Sequence, residues 1–250
     1  SEKTKVRHRN GINKTLIQMP LPARRLLFII MAQIDTMKII PNGKVFTVSA
    51  QDYSDLCGIN IDTAYAQLKN GARALQAQSL EVPQEELLKA FARRPSEYLK
   101  NEDEWRGIRL LHITDSCSYA DDEAFVQVRF SRQMEPYICM IEKDFTTQVL
   151  MSNIRLADSN ASKLYQLLRS NISKGHINFF VLPVSKIKKT LLIDKVATYK
   201  TFKYFKSQFM NRSIKKLIEV TEFTQIDMTI EEKQGRKVDK VRISYSYEKV

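Results

Sequence analysis

Apolar positions cluster densely after Pro20-Leu21-Pro22. Leu26, Leu27, Ile30 and Ile34 fall on one face at helical spacing, and Phe28, Ile29 and Met31 widen it. This predicts a buried helix whose first turn tolerates the prolines. Asn42-Gly43 marks a turn and Val45–Val48 a short strand. Ser49 can cap a helix running through Cys57, Gly58 stops it, and Asn60 or Asp62 can cap a second helix over Thr63–Gln76. The charged stretch 83–104, broken by Pro83 and Pro95, reads as an insertion with a short helix near Gln84–Arg93. Trp105–Thr114 and Ala124–Phe130 read as strands joined by the turn-rich segment Asp115–Glu123. Arg132–Glu142 reads as a short helix, and Phe145-Thr146-Thr147-Gln148 as a β-prone connector that Met151–Leu156 continues.

The pattern then runs a second time. Asp158 can cap a helix through Ser173, Phe179–Leu182 is a strand, Ser185 can cap a helix through Ile193, and Thr198 or Tyr199 opens a longer helix to about Val220. Ile226, Met228 and Ile230 alternate with polar residues, as do Val241, Ile243 and Tyr245, which predicts a hairpin around Gly235. Helix, strand, helix, helix, hairpin is the order of a winged helix. The expected fold class is α+β, two tandem winged-helix domains over residues 1–151 and 152–250.

Charge sharpens the picture. The chain carries a net charge of +12, and residues 158–250 hold ten of those twelve charges. That concentration points to an anionic partner, double-stranded DNA. The N-terminal residues are basic and lack the apolar core of a signal peptide, so they read as an arm before the first helix. There Arg7, His8, Arg9 and Lys14 could touch phosphate or the minor groove. No apolar run approaches the length of a membrane span. Cys57, Cys117 and Cys139 match no zinc spacing and suit a reducing cytoplasm.

In the long basic helix, Tyr199, Phe202, Phe205 and Phe209 recur every three or four residues and form the expected buried face. Lys200, Lys203, Lys206, Ser207 and Gln208 fall between them, with Arg212, Lys215 and Lys216 beyond. Glutamine can pair with adenine, and lysine with guanine or phosphate. Lys233, Arg236 and Lys237 flank the hairpin tip, where cations meet backbone phosphate. The first domain offers fewer candidates, Thr63, Tyr65, Gln67, Lys69 and Arg73, and is expected to bind more weakly and to serve self-association. An enzyme is not expected: His8, His112 and His176 are scattered, the acids Asp121, Asp122 and Glu123 lie in a turn, and no phosphate-cradling glycine motif is present. No cofactor or metal is expected. A nicking enzyme would need a histidine pair that the chain lacks.

Four runs carry a family resemblance. They are KTKVRHRNGINKTLIQMPLPARRLLFIIMAQID (Lys3–Asp35), FTTQVLMSNIRL (Phe145–Leu156), KLYQLLRS (Lys163–Ser170) and EEKQGRKVDKVRISY (Glu231–Tyr245). In collinear order over nearly the whole chain, they resemble the iteron-binding plasmid replication initiators, nearest the pi type and more distantly the F-plasmid type. The resemblance implies two winged helices related by pseudo-symmetry. It also implies binding to direct repeats (iterons) in a plasmid origin, opening of a nearby AT-rich segment, and recruitment of the host replication initiator and helicase. Monomers of such proteins act at the origin, dimers repress their own promoter at an operator inverted repeat, and pairing of iterons limits copy number. The family's base-reading helix falls on FKSQF, hence on Lys206, Ser207 and Gln208, where the F type is rich in arginine. The first domain is implied to supply the dimer interface and further DNA contacts. The pi type also carries a longer acidic tail than the stretch ending at Val250. The other reading from the residues is a dimeric transcriptional repressor alone, which would bind an inverted repeat rather than direct ones.

Overall fold

Two three-stranded sheets of the same topology organise the chain. The computed structural model describes residues 4–91, 107–120 and 123–249. In the first half, α2 (Leu21–Met31), β2 (Phe46–Ser49), α3 (Ala50–Cys57) and α4 (Ile61–Gln76) precede the hairpin of β5 (Thr114–Tyr119) and β6 (Phe125–Phe130). In the second, α8 (Ser159–Ser173), β8 (Phe179–Pro183), α9 (Val184–Thr190) and a helical stretch over 202–220 precede the hairpin of β9 (Phe223–Gln234) and β10 (Lys237–Tyr247). The sheet orders, β2-β6-β5 and β8-β10-β9, are equivalent: the last strand is central in each. Both halves are winged helices. The first has an insertion between its third helix and its wing, in which β3 (Ser79–Pro83) leads to α5 (Gln84–Phe91) and pairs antiparallel with β4 (Ile108–His112).

Local chemistry explains the helix ends. Ser49 Oγ accepts from the Asp52 amide, Asn60 from Thr63 and Asp158 from Ala161, so each helix start has a side-chain cap. Gly58, at φ +65°, takes the left-handed turn between α3 and α4 that a side chain would resist. Gly71 serves packing instead: a Cβ there would meet the Pro22 carbonyl at 2.9 Å, so α2 and α4 approach backbone to backbone.

Each winged helix has a short leader, and the leaders are exchanged. β1 (Lys5–Arg9) pairs antiparallel with β7 (Phe145–Val149). α1 (Asn13–Gln18) then packs on α8 and α9 of the second half, and α7 (Leu150–Arg155) on α2 and α3 of the first. Equivalent positions of the two halves meet at this junction. His8 and Gln148 are the fourth residues of their strands and hydrogen-bond at 2.8 Å, while Arg24 and Ser162 are the fourth of their helices and bond at 2.6 Å. His8 also meets Phe28 edge-on at 6.3 Å as Gln148 bonds Gln166, and Phe28 and Gln166 are both eighth in their helices.

The seam between halves is polar and buried. The Arg9 carbonyl lies 3.0 Å from His8 Nδ1 and needs a donor, so Nδ1 carries the hydrogen and Nε2 accepts from the Gln148 amide. Gln148 also donates to Gln166, which donates to Asn153, which donates to the Val149 carbonyl. Burial pushes the His8 imidazole down to about 4, so this chain is built on neutral histidine. Arg24, 1% exposed, donates to the Leu16 and Ile17 carbonyls at the end of α1 as well as to Ser162. Burial, reinforced by neighbouring Arg25, lowers it to about 9. Glu222 accepts from Ser152 and Tyr165 and pairs with Arg169 at 3.4 Å, tying α7 and α8 to the root of the second wing.

Several expected elements differ. The basic arm is the strand β1, in which His8 and Arg9 are buried and so withdrawn from any ligand. Arg7 stays exposed over the Phe145 ring, and Lys14 is paired with Glu81 at 3.3 Å. Met151–Leu156 does not extend the β connector; it lies in helix α7 apart from its last residue. Part of the presumed turn Asp115–Glu123 is strand β5, because Cys117 and Tyr119 pack against the first core. Ile108–His112 pairs with β3 rather than forming the wing. The helix expected over Arg132–Glu142 is limited to α6 (Glu135–Ile138). The last buried residue of the first core is Ile154, and the second begins with Leu156 but borrows Ile17 from α1. The expected division at 151/152 thus falls within α7. Arg93, Pro95, Trp105, Asp121 and Asp122, each part of an expectation, lie outside the described residues.

Candidate nucleic-acid interface

The second winged helix sets its basic helix on an aromatic base. Phe205 and Phe209 are fully buried and stack at 6.0 Å, Tyr199 meets Phe209 edge-on, and Phe202 flanks Phe205. The helix begins later than its composition suggests: Ala197–Tyr199 is a separate 3-10 turn, and the helix proper starts at Phe202 as α10 (Phe202–Tyr204). Lys200 therefore precedes the helix rather than opening it. From Phe205 to Met210 the helix is π-helical, and α11 (Asn211–Val220) completes it.

Lys188 on α9 is committed to this scaffold. Its ammonium donates to the Tyr199 and Lys200 carbonyls and lies 5.1 Å from the Phe205 ring centre. Burial, then the nearby charge of Lys237, holds it below the usual lysine range. That repulsion also shows that the wing's Lys237 stands close to the helix-turn-helix.

Lys200, Lys203, Lys206 and Arg212 are exposed, and Ser207 and Gln208 half-buried. None of these four cations has a carboxylate partner among the described residues, and neither do Lys233, Arg236 and Lys237 around the tip. The flanks are neutralised: Lys216 pairs with Asp158 at 2.7 Å, Lys240 with Glu232 at 2.6 Å, and Arg242 with Glu231 at 2.9 Å. Gly235, at φ +60°, makes the tight turn that carries the tip. Positive charge is thus left unopposed along one helix and one wing tip, the two surfaces a winged helix offers to DNA. Tyr204, 47% exposed, stands among these lysines, a residue that aromatic spacing alone does not single out. Its signal lies in its neighbour: Phe205 is buried, which turns Tyr204 outward.

The first-domain candidates are arranged differently. Thr63 projects from the start of α4, its amide capped by Asn60. Tyr65 donates to the Ala120 carbonyl, Lys69 lies over the Tyr65 and Tyr119 rings, and Arg73 donates to the Tyr119 hydroxyl at 2.7 Å. These three bind helix α4 to its own wing. Gln67 turns inward and accepts from Tyr53 and Arg25. Among the described residues, no three His, Cys, Asp or Glu side chains are placed to hold a metal ion, and no helix is long and apolar enough to cross a membrane.

Comparison with known proteins matches this geometry. The family model described as "Initiator Replication protein, WH1" matches residues 5–169, and "Initiator Rep protein, WH2" matches residues 183–245. The chain is 33% identical to the PI protein of Escherichia coli over 259 residues, spanning 98% of this chain and 83% of that one. A crystal structure of Pi initiator protein in complex with iteron DNA superposes with a TM-score of 0.82 at 32% identity, covering the whole of both chains. Domains 2 and 3 of RctB share the fold, with a TM-score of 0.51 at 14% identity over 95% of this chain and 83% of that one.

Proposed function

This chain belongs to the initiator replication protein family, the iteron-binding plasmid initiators, and from that premise we propose that it starts replication of its own plasmid. It binds origin iterons as a monomer, strains and opens a nearby AT-rich segment, and recruits the host replication initiator and helicase. As a dimer it represses its own promoter at an inverted repeat. It acts in the bacterial cytoplasm and catalyses no reaction itself.

The observation that carries this reading is the unopposed charge on the helix from Phe202 and on the tip around Gly235, in a chain that overlays its full length on an iteron-bound relative. Lysine and arginine supply affinity through phosphate, so binding should weaken steeply with salt. The helix supplies base choice, with Lys206, Ser207 and Gln208 at its centre, and α4 of the first domain adds contacts through Thr63. Two winged helices on one chain suit two successive major grooves, about 10 bp apart.

A specific surface supports self-association. Ile108 and Leu110 are each 67% exposed on the same face of β4, a strand that pairs only with β3 among the described residues. Apolar side chains beside an open strand edge favour pairing with a second chain. Footprinting on the parent plasmid, with native mass measurement of the bound species, tests the whole reading. Monomers protecting a series of direct repeats are expected. Dimers protecting one inverted repeat and nothing else would make the protein a repressor only.

A further inference from the structure

The helix that begins at Phe202 repeats every four residues. Phe205, Phe209, Ser213 and Leu217 are all buried, at 0–2% exposure. A regular α-helix has about 3.6 residues per turn, so a four-residue repeat drifts by about 40° a step and about 120° over three steps. Such a stripe would leave the core within two turns. The π-helical segment Phe205–Met210 takes up the mismatch, because its i→i+5 bonding makes a wider turn. It lies where the repeat begins, between Phe205 and Phe209, and keeps both rings stacked in the core.

The outer face follows from the inner one. Residues two places before each buried position point the opposite way: Lys203, Ser207, Asn211 and Lys215. Lys203, Asn211 and Lys215 are exposed, and Ser207 is half-buried. The four lie in one straight row rather than spiralling around the helix. Lys206 and Gln208 flank the row on either side. Asn211 sits within it, and its amide has no side-chain hydrogen bond among the described residues. An asparagine amide offers a donor and an acceptor side by side, the pair that matches N6 and N7 of adenine in the major groove.

We propose that Asn211 reads an adenine and that the π-turn sets it in register with Ser207 on one groove-facing row, with Lys203 and Lys215 gripping phosphate at its two ends. The proposal rests on the reading of this helix as the base-reading element. Its test uses the full chain and a target selected from a random duplex pool, with every base pair then substituted singly. Asn211 is exposed, so Asn211→Ala is compatible with the fold. This variant should lose about 5- to 150-fold of discrimination at one A·T pair, the range that one bidentate contact supplies, and keep its preferences elsewhere. Lys215→Ala should lower the salt slope by about 1 and leave every base preference in place. Asn211→Ala with an unaltered preference profile would overturn the proposal, provided the double variant Lys206→Ala/Gln208→Ala loses selectivity. If that double variant also keeps full selectivity, the helix is not the reader, and both the proposal and the reading beneath it fall.

Discussion

Losing Arg24 would remove three hydrogen bonds at once. Its guanidinium serves two carbonyls of α1 and the Ser162 hydroxyl, inside a seam that water does not reach. Arg24→Leu keeps bulk but leaves those acceptors unmet, and should lower stability by about 2–4 kcal/mol in urea denaturation. A loss within experimental error would mean the carbonyls find other donors. His8 makes a pH-dependent contribution. Its folded value, about 4, lies below the ordinary histidine value of 6.5, so the unfolded chain takes up the proton first. The stabilisation is complete above about pH 6.5, falls as the pH drops through the interval to about 4, and amounts to about 3 kcal/mol over that window. Stability curves of the wild type and His8→Gln should therefore converge on acidification; parallel curves would show that His8 titrates normally.

At the scale of elements, the proposed function assigns base choice to the helix from Phe202 and phosphate contact to the tip of the second wing. Lys206→Ala with Gln208→Ala should abolish selective binding and leave much of the non-specific affinity, as a competition assay against random duplex would record. Replacing Lys233, Arg236 and Lys237 by alanine should instead lower the salt slope by about 2–3 at constant preference. An unchanged slope would place the wing tip away from phosphate. Both winged helices were legible from period and caps: Ser49, Asn60 and Asp158 cap where their residue types suggest. The leaders were not. In KVRHR only Val6 is apolar, and His8 becomes a core residue through a glutamine 140 positions away, a partner no local window contains. Strand β5 was hidden because TDSCSY has turn composition, and only pairing with β6 selects the extended form. The aromatic spacing placed Phe205 and Phe209 in the core, but Tyr199 lies in a turn before the helix, Phe202 is half-buried, and the π-turn, which follows from a repeat of four instead of about 3.6, was not legible.

Across the whole molecule, the apolar face of β4 is proposed to join two chains, while the buried polar seam holds the two halves of one chain together. Ile108→Lys with Leu110→Lys should shift the protein toward monomer in sedimentation experiments and leave monomer affinity for a single iteron within about twofold, since neither residue borders the basic helix. Equal loss of both properties would mean that the two surfaces are not separable. The exchanged leaders bear on the order in which the chain can mature. About 140 residues separate the two strands of the β1–β7 ribbon. At typical rates of synthesis, about 5–20 residues per second, β1 waits roughly 7–28 s for its partner, and α1 waits longer for the surface of α8. Through that interval Ile17, the α1 residue that is buried in the second core, has no seat, whereas Ile12, Leu16 and Met19 belong to the first core. A ribosome paused between the halves would display that side chain to any passing chaperone or protease.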